Sequence, residues 1–220
     1  MTDDRKAGIA LLAGSLGGIV TMAIHPTAGG QLTPDQVAHL ATTSAIAHSL
    51  AMVSFVLIFL GACGLARRIA AADRTAFAGL VTFGFACVAV LIATAVSGFI
   101  VPDIMRHMAH DVPAAGQQWR MIITSIFQIN QAFSRIYTVA TSMAIILWSV
   151  SVLRNGGLDR KVAWYGCVIS PLIIVGIISG HLRMDVHGMG AVVLGQAIWF
   201  IVAGTEMYSG GAEKSASATK

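Results

Sequence analysis

Charge is scarce in this sequence: Asp, Glu, Lys and Arg make up 11% of its 220 residues, less than half the roughly 25% of a soluble domain. So few charges cannot coat a water-exposed globule. With 56% hydrophobic residues and a mean hydropathy of +0.77, an ordinary soluble fold is excluded. Cysteine is scarce as well. Cys63, Cys87 and Cys167 fall inside apolar runs with no C-x-x-C spacing, which speaks against a disulfide framework and a thiolate metal site and leaves them as small packing residues. Also missing are G-x4-G-K-[ST], a G-x-G-x2-G after a strand, H-E-x2-H and G-x-S-x-G, so nucleotide-driven and common hydrolase chemistries lose their usual signatures.

What is present is apolar sequence in long runs. Residues 8–24, 37–66, 76–101, 133–153, 162–180 and 186–207 each approach or exceed the roughly 18 apolar residues of a spanning helix. We therefore expect an all-α, polytopic integral membrane protein: six transmembrane helices in one bundle over residues 1–208, then a disordered tail of Gly, Ser, Ala and Lys over 209–220. Arg5 and Lys6 ahead of the first run have the look of a signal peptide, but the cleavage pattern near "TMAIHPTAGG" is poor and five runs follow, so the first run is taken as a helix.

The positive charges orient the bundle. In a six-span topology Arg5, Lys6, Arg67, Arg68, Arg74, Arg154, Arg160, Lys161, Lys214 and Lys220 fall on one side, and Arg106, Arg120 and Arg183 on the other. Both termini are then cytoplasmic, in a cell membrane of the bacterial inner-membrane type. The basic balance of 14 Lys and Arg against 10 Asp and Glu is explained by topology, and nucleic acid is not expected as a partner. The lipid bilayer is, and so is a second membrane protein or a second copy.

Local signals mark some helix ends. Thr33-Pro34-Asp35 reads as an N-cap followed by proline at the first helical position. Pro102-Asp103 reads as the end of the third helix. The stretch "GHLRMDVHGMG" at 180–190 reads as a tight turn between the fifth and sixth. The first helix ends "IVTMAIH" and the fifth "IVGIISGH", a faint internal echo of a duplicated hairpin.

All seven histidines fall on the side away from the basic cluster. Counted from the basic ends at 1.5 Å per residue, His25 stands about 25 Å up, His48 and Arg135 about 27 Å, His181 about 28 Å and His187 about 30 Å. Five ionisable groups from five helices thus share one height, and ionisable groups at membrane depth mark functional sites. Imidazole is the commonest metal ligand and also relays protons. His48, His181 and His187, with His25 beside them, are the candidate ligands of haem b or of a transition metal (copper, zinc or iron). Arg135 is the candidate counter-charge for a propionate, with Gln131 and Ser44 as further cofactor contacts; Ser44 is four residues before His48 and shares its helix face. "MRHMAHD" adds Met105, His107, Met108, His110 and Asp111, a mixture suited to copper. Three functions remain open: a redox or metal protein, a proton-coupled small-molecule transporter or binding protein, and an accessory subunit without chemistry of its own.

Overall fold

The computed structural model describes residues 2–26, 33–69, 74–110 and 116–217. Helices α1 (Asp3–Ala23), α2 (Pro34–Ile69), α3 (Arg74–Ala95), α4 (Val101–His110), α5 (Gly116–Asn155), α6 (Arg160–Ile178) and α7 (Val186–Ser217) account for nearly all of it, with a π-helical segment at Val96–Ile100 joining α3 to α4. No strand occurs among the described residues. Six helical segments are long and apolar enough to cross a membrane, with α3, the π segment and α4 together making the third. Large apolar side chains cover the outside: Phe85 is 70% and Ile178 78% exposed. An outer surface of this kind is one that lipid tails cover.

The helix ends follow local chemistry. Thr33 and Gln36 form a capping box at the start of α2: the Thr33 N–H donates to Gln36 Oε1 at 2.9 Å, and the Gln36 N–H to Thr33 Oγ1 at 3.4 Å. Asp159 caps α6 through the Lys161 N–H at 2.8 Å. Gly180, at φ +74°, adopts the left-handed conformation that lets α6 stop. Asp185 Oδ1 then accepts the Gly188 N–H at 2.9 Å to start α7. Gly188 is obligatory there, because a Cβ would overlap the Arg183 carbonyl.

Two expected ends lie elsewhere. The third helix does not stop at Pro102. Proline lacks the N–H that would bond four residues back, and the chain accommodates this by widening one turn, with Val101 N–H bonded to Val96 O. The last helix runs on through Ser217, across most of the segment expected to be a disordered tail. Extending a helix is far easier than starting one. Residues 218–220 are outside the described residues.

Lipid tails are as apolar as leucine, so close backbone approach and packing hold such helices together. Helix α1 lies between α2 and α7 in seams of small residues. A Cβ on Gly8 would come within 2.6 Å of the Gly204 carbonyl, and one on Gly14 within 2.6 Å of the Ser54 carbonyl. Helix α5 packs on α3 and α6. An aromatic cluster fills the interior between these sets: Trp148 stacks on Trp199 at 5.8 Å, both touch Phe200, and the Trp148 N–H donates to the Ala76 carbonyl at 3.1 Å. The basic ends of the helices are latched together. Arg68 bonds the Gly157 carbonyl at 2.8 Å and Asp4 at 3.4 Å, while Glu206 accepts the Asp159 N–H at 2.8 Å.

Candidate functional site

A cavity of about 340 Å³ lies inside the bundle, from the histidine-bearing end down to a floor of Ile58, Phe83 and Phe200. That volume is within the ~300–1,000 Å³ of small-molecule sites. Its walls come from α1, α2, α3, the π segment, α5, α7 and the turn before α7, so one helix pair cannot make it alone.

Two of the four candidate ligands meet at this cavity. On α2 the buried residues Ala41, Ser44, His48 and Ala51 recur at helical spacing and form the inward stripe. His48 is only 6% exposed. Its Nδ1 lies 2.7 Å from the Ser44 carbonyl, and since a carbonyl only accepts, Nδ1 carries the proton and Nε2 keeps its lone pair. His25, just past the end of α1, repeats the pattern with Nδ1 3.1 Å from the Pro26 carbonyl. The two rings touch edge to face with centroids 5.1 Å apart. Burial pushes the His25 imidazole below its ordinary pKa, against a smaller upward effect of its Pro26 hydrogen bond.

The π segment packs behind His48. Gly98 is pressed against the imidazole so closely that a Cβ there would overlap the His48 side chain. Ser44 donates its hydroxyl to the Ser97 carbonyl at 3.1 Å, tying α2 to the same widened turn. Ser44 is not a wall of the cavity; it positions His48, whose Nδ1 is 3.3 Å from Ser44 Oγ. π segments of this sort recur at functional sites.

The remaining candidates stand apart. His181 and His187 are exposed and line no part of the cavity; His181 Nδ1 bonds its neighbour Ser179 at 2.9 Å. Arg135 is exposed on α5 and lines no part of the cavity. Gln131 does line the cavity, and its amide N–H donates to the Met184 carbonyl at 2.8 Å, tying α5 to the turn before α7. From that turn Met184 and Asp185, between the two histidines, are the wall residues. Of the echoed histidines only His25 faces inward. Among the described residues no group of three or more His, Cys, Asp or Glu is placed to hold a metal ion. In "MRHMAHD", His107 is exposed and sits 3.9 Å from Asp103, while the His110 side chain and Asp111 lie outside the described residues.

The contact between His25 and His48 bears on haem directly. Bis-histidine ligation needs a ring on each face of a flat macrocycle, and two imidazoles in mutual contact leave no slot for one. A single ion is different, since each ring offers a free Nε2.

Three wall residues escape a reading based on charge. Gln196 is 2% exposed and Ser15 1% exposed, and Gln196 Oε1, Ser15 Oγ and Asn130 Oδ1 are buried without a hydrogen-bond partner. Gln196 had a visible signal: it is the lone amide in "AVVLGQAIWFIVAG", and polar groups in the middle of a span are rarely idle. The chain matches no family model, no curated protein and no solved structure.

Proposed function

We propose that this is a multi-pass membrane protein that takes a small, mostly apolar molecule into the bundle, with the His25–His48 pair as a proton-responsive element at the same cavity. The observation that carries the proposal is the cavity itself, apolar over most of its wall and flanked by two imidazoles with free Nε2 atoms. Burial already disfavours the charged form of His25, and two positive charges at a 5.1 Å separation repel, so the pair takes up one added proton at most. That proton adds a positive charge to a cavity whose wall also carries the Asp185 carboxylate and alters what it holds. The clustering of Arg67, Arg68, Arg154 and Arg160 at the opposite end supports cytoplasmic termini and a histidine end facing the far side of a bacterial-type inner membrane.

The test is saturable binding of an apolar fluorophore such as Nile red to the purified protein in detergent. Gly18 lines the cavity and a Cβ there meets nothing within 4 Å, so Gly18→Phe fills the space without disturbing a backbone. We expect this variant to abolish saturable binding, and we expect wild-type binding to change as pH falls below about 6.5 but not in the His25→Ala/His48→Ala double variant. Undiminished binding to Gly18→Phe refutes the proposal.

A second reading has one observation in its favour. His48 and His25 each direct Nδ1–H to a backbone carbonyl, the orientation that fixes a metal-ligating imidazole, and the thioethers of Met22 and Met189 line the same cavity. A soft ion such as copper fits that donor set. Stoichiometric copper that is lost in His48→Ala would support this reading.

A further inference from the structure

The cavity carries a chemical preference in its unpartnered polar atoms. Gln196 Nε2 donates to the Thr138 carbonyl at 3.2 Å and to Ser142 Oγ at 3.1 Å. Because a carbonyl only accepts, the amide cannot be turned round, and Oε1 is the end left without a partner. A buried acceptor with no donor is costly, and the cost falls away when a ligand supplies one.

Ser15 stands at the same level on the facing helix. Helices α1 and α7 run antiparallel with Gly8 against Gly204. Counting up from that contact, Ser15 is about 10 Å and Gln196 about 12 Å along their axes. Both line the cavity, and both have a buried, unpartnered oxygen. No Lys or Arg is among the wall residues and Asp185 adds a carboxylate, so while His25 and His48 are neutral a carboxylate or phosphate finds no counter-charge; Phe55, Phe127, Tyr137 and Phe200 supply apolar and aromatic wall.

Resting on the binding function proposed above, we infer that the ligand is an apolar alcohol whose hydroxyl seats between Gln196 Oε1 and Ser15 Oγ. A hydroxyl donates one hydrogen bond and accepts others, so one group serves both atoms: its proton goes to the amide oxygen, and its lone pair takes the Ser15 proton. An ether satisfies Ser15 alone and leaves the amide oxygen orphaned. Sites built around a hydroxyl discriminate strongly against analogues that lack one, for this reason.

The experiment is calorimetric titration of the detergent-solubilised full chain, against an empty-micelle blank, with four probes on one skeleton: naphthylmethanol, its methyl ether, naphthylmethylamine and naphthoate. We expect the alcohol to bind about tenfold tighter than the ether, the worth of one buried hydrogen bond, and naphthoate not to bind. Gln196→Met keeps the length of the side chain and is expected to erase the alcohol's advantage. Ser15→Ala, a small change on α1, is expected to lower alcohol affinity a few-fold. Equal affinity for alcohol and ether in the unmutated protein overturns the hydroxyl assignment while leaving the cavity proposal standing. Preference for the amine overturns it also. Absence of saturable binding by any of the four overturns the cavity proposal and this inference with it.

Discussion

Gly98→Ala tests whether His48 is held in place by the π segment. The added methyl would overlap the Cβ of His48 and stand 2.8 Å from its Cγ, closer than carbon atoms pack. The imidazole must therefore move or the widened turn must shift. Overpacking of this kind costs about 1–3 kcal/mol, and a displaced His48 also loses its 2.7 Å bond to the Ser44 carbonyl, worth about 1 kcal/mol net. At about 2–4 °C per kcal/mol for a chain of this size, the melting temperature in detergent should fall by roughly 4–16 °C. The distinctive consequence is non-additivity. His48→Ala removes the side chain that the methyl strikes, so Gly98→Ala should cost little in that background, with a coupling of about 1–3 kcal/mol in the double-mutant cycle. Scanning fluorimetry on the four proteins reads this directly. Additive losses, or a single variant that melts like wild type, would show that Gly98 does not hold His48.

Two further outcomes follow from other parts of the molecule. Burial holds the His25 pKa below its unfolded value, so the folded state binds fewer protons. Its stabilising contribution is complete above about pH 6.5 and is lost as pH falls through the depressed folded value. Thermal stability should fall on acidification below about pH 6.5, and His25→Phe should flatten that loss; an unchanged slope would exclude His25 as its source. Gly204→Leu drives a branched side chain into the Gly8 carbonyl and Leu11 and should part α1 from α7. We expect at least about 3 kcal/mol of destabilisation, near the top of the overpacking range, whereas Gly156→Ala, at a turn with open space around it but φ +78°, should cost only about 1 kcal/mol.

The spans were legible because hydropathy and length decide them, and the start of α2 because a capping residue announces itself at Thr33. Pro102 misled for a physical reason: a proline ends a helix only when its lost hydrogen bond cannot be absorbed, and here one widened turn absorbs it. The histidine layer was legible in height and illegible in direction. Rise per residue sets how far His25, His48, His181 and His187 stand from the basic ends, but which way each points depends on the neighbours its helix chooses. His48 lies on a stripe of small inward residues, Ala41, Ser44 and Ala51, and the stripe was readable. His181 comes after Gly180 has ended α6, where no periodicity remains to aim it. Charge drew attention to Arg135 and away from Gln196 and Ser15, whose significance lies in having no partner, a property that exists only once the helices have packed.

The π segment also works as a phase shifter. One extra residue in a helix rotates everything beyond it by about 100°, so the α4 end of the third span is aimed independently of its α3 end. Deleting any one residue of 96–100 would close the widened turn into regular helix, keep Arg74–Ala95 in register against α5, and swing the face of α4 round by a quarter turn or more. A one-codon deletion in this segment would thus re-aim α4 and, at the same stroke, take from Pro102 the widened turn that accommodates it.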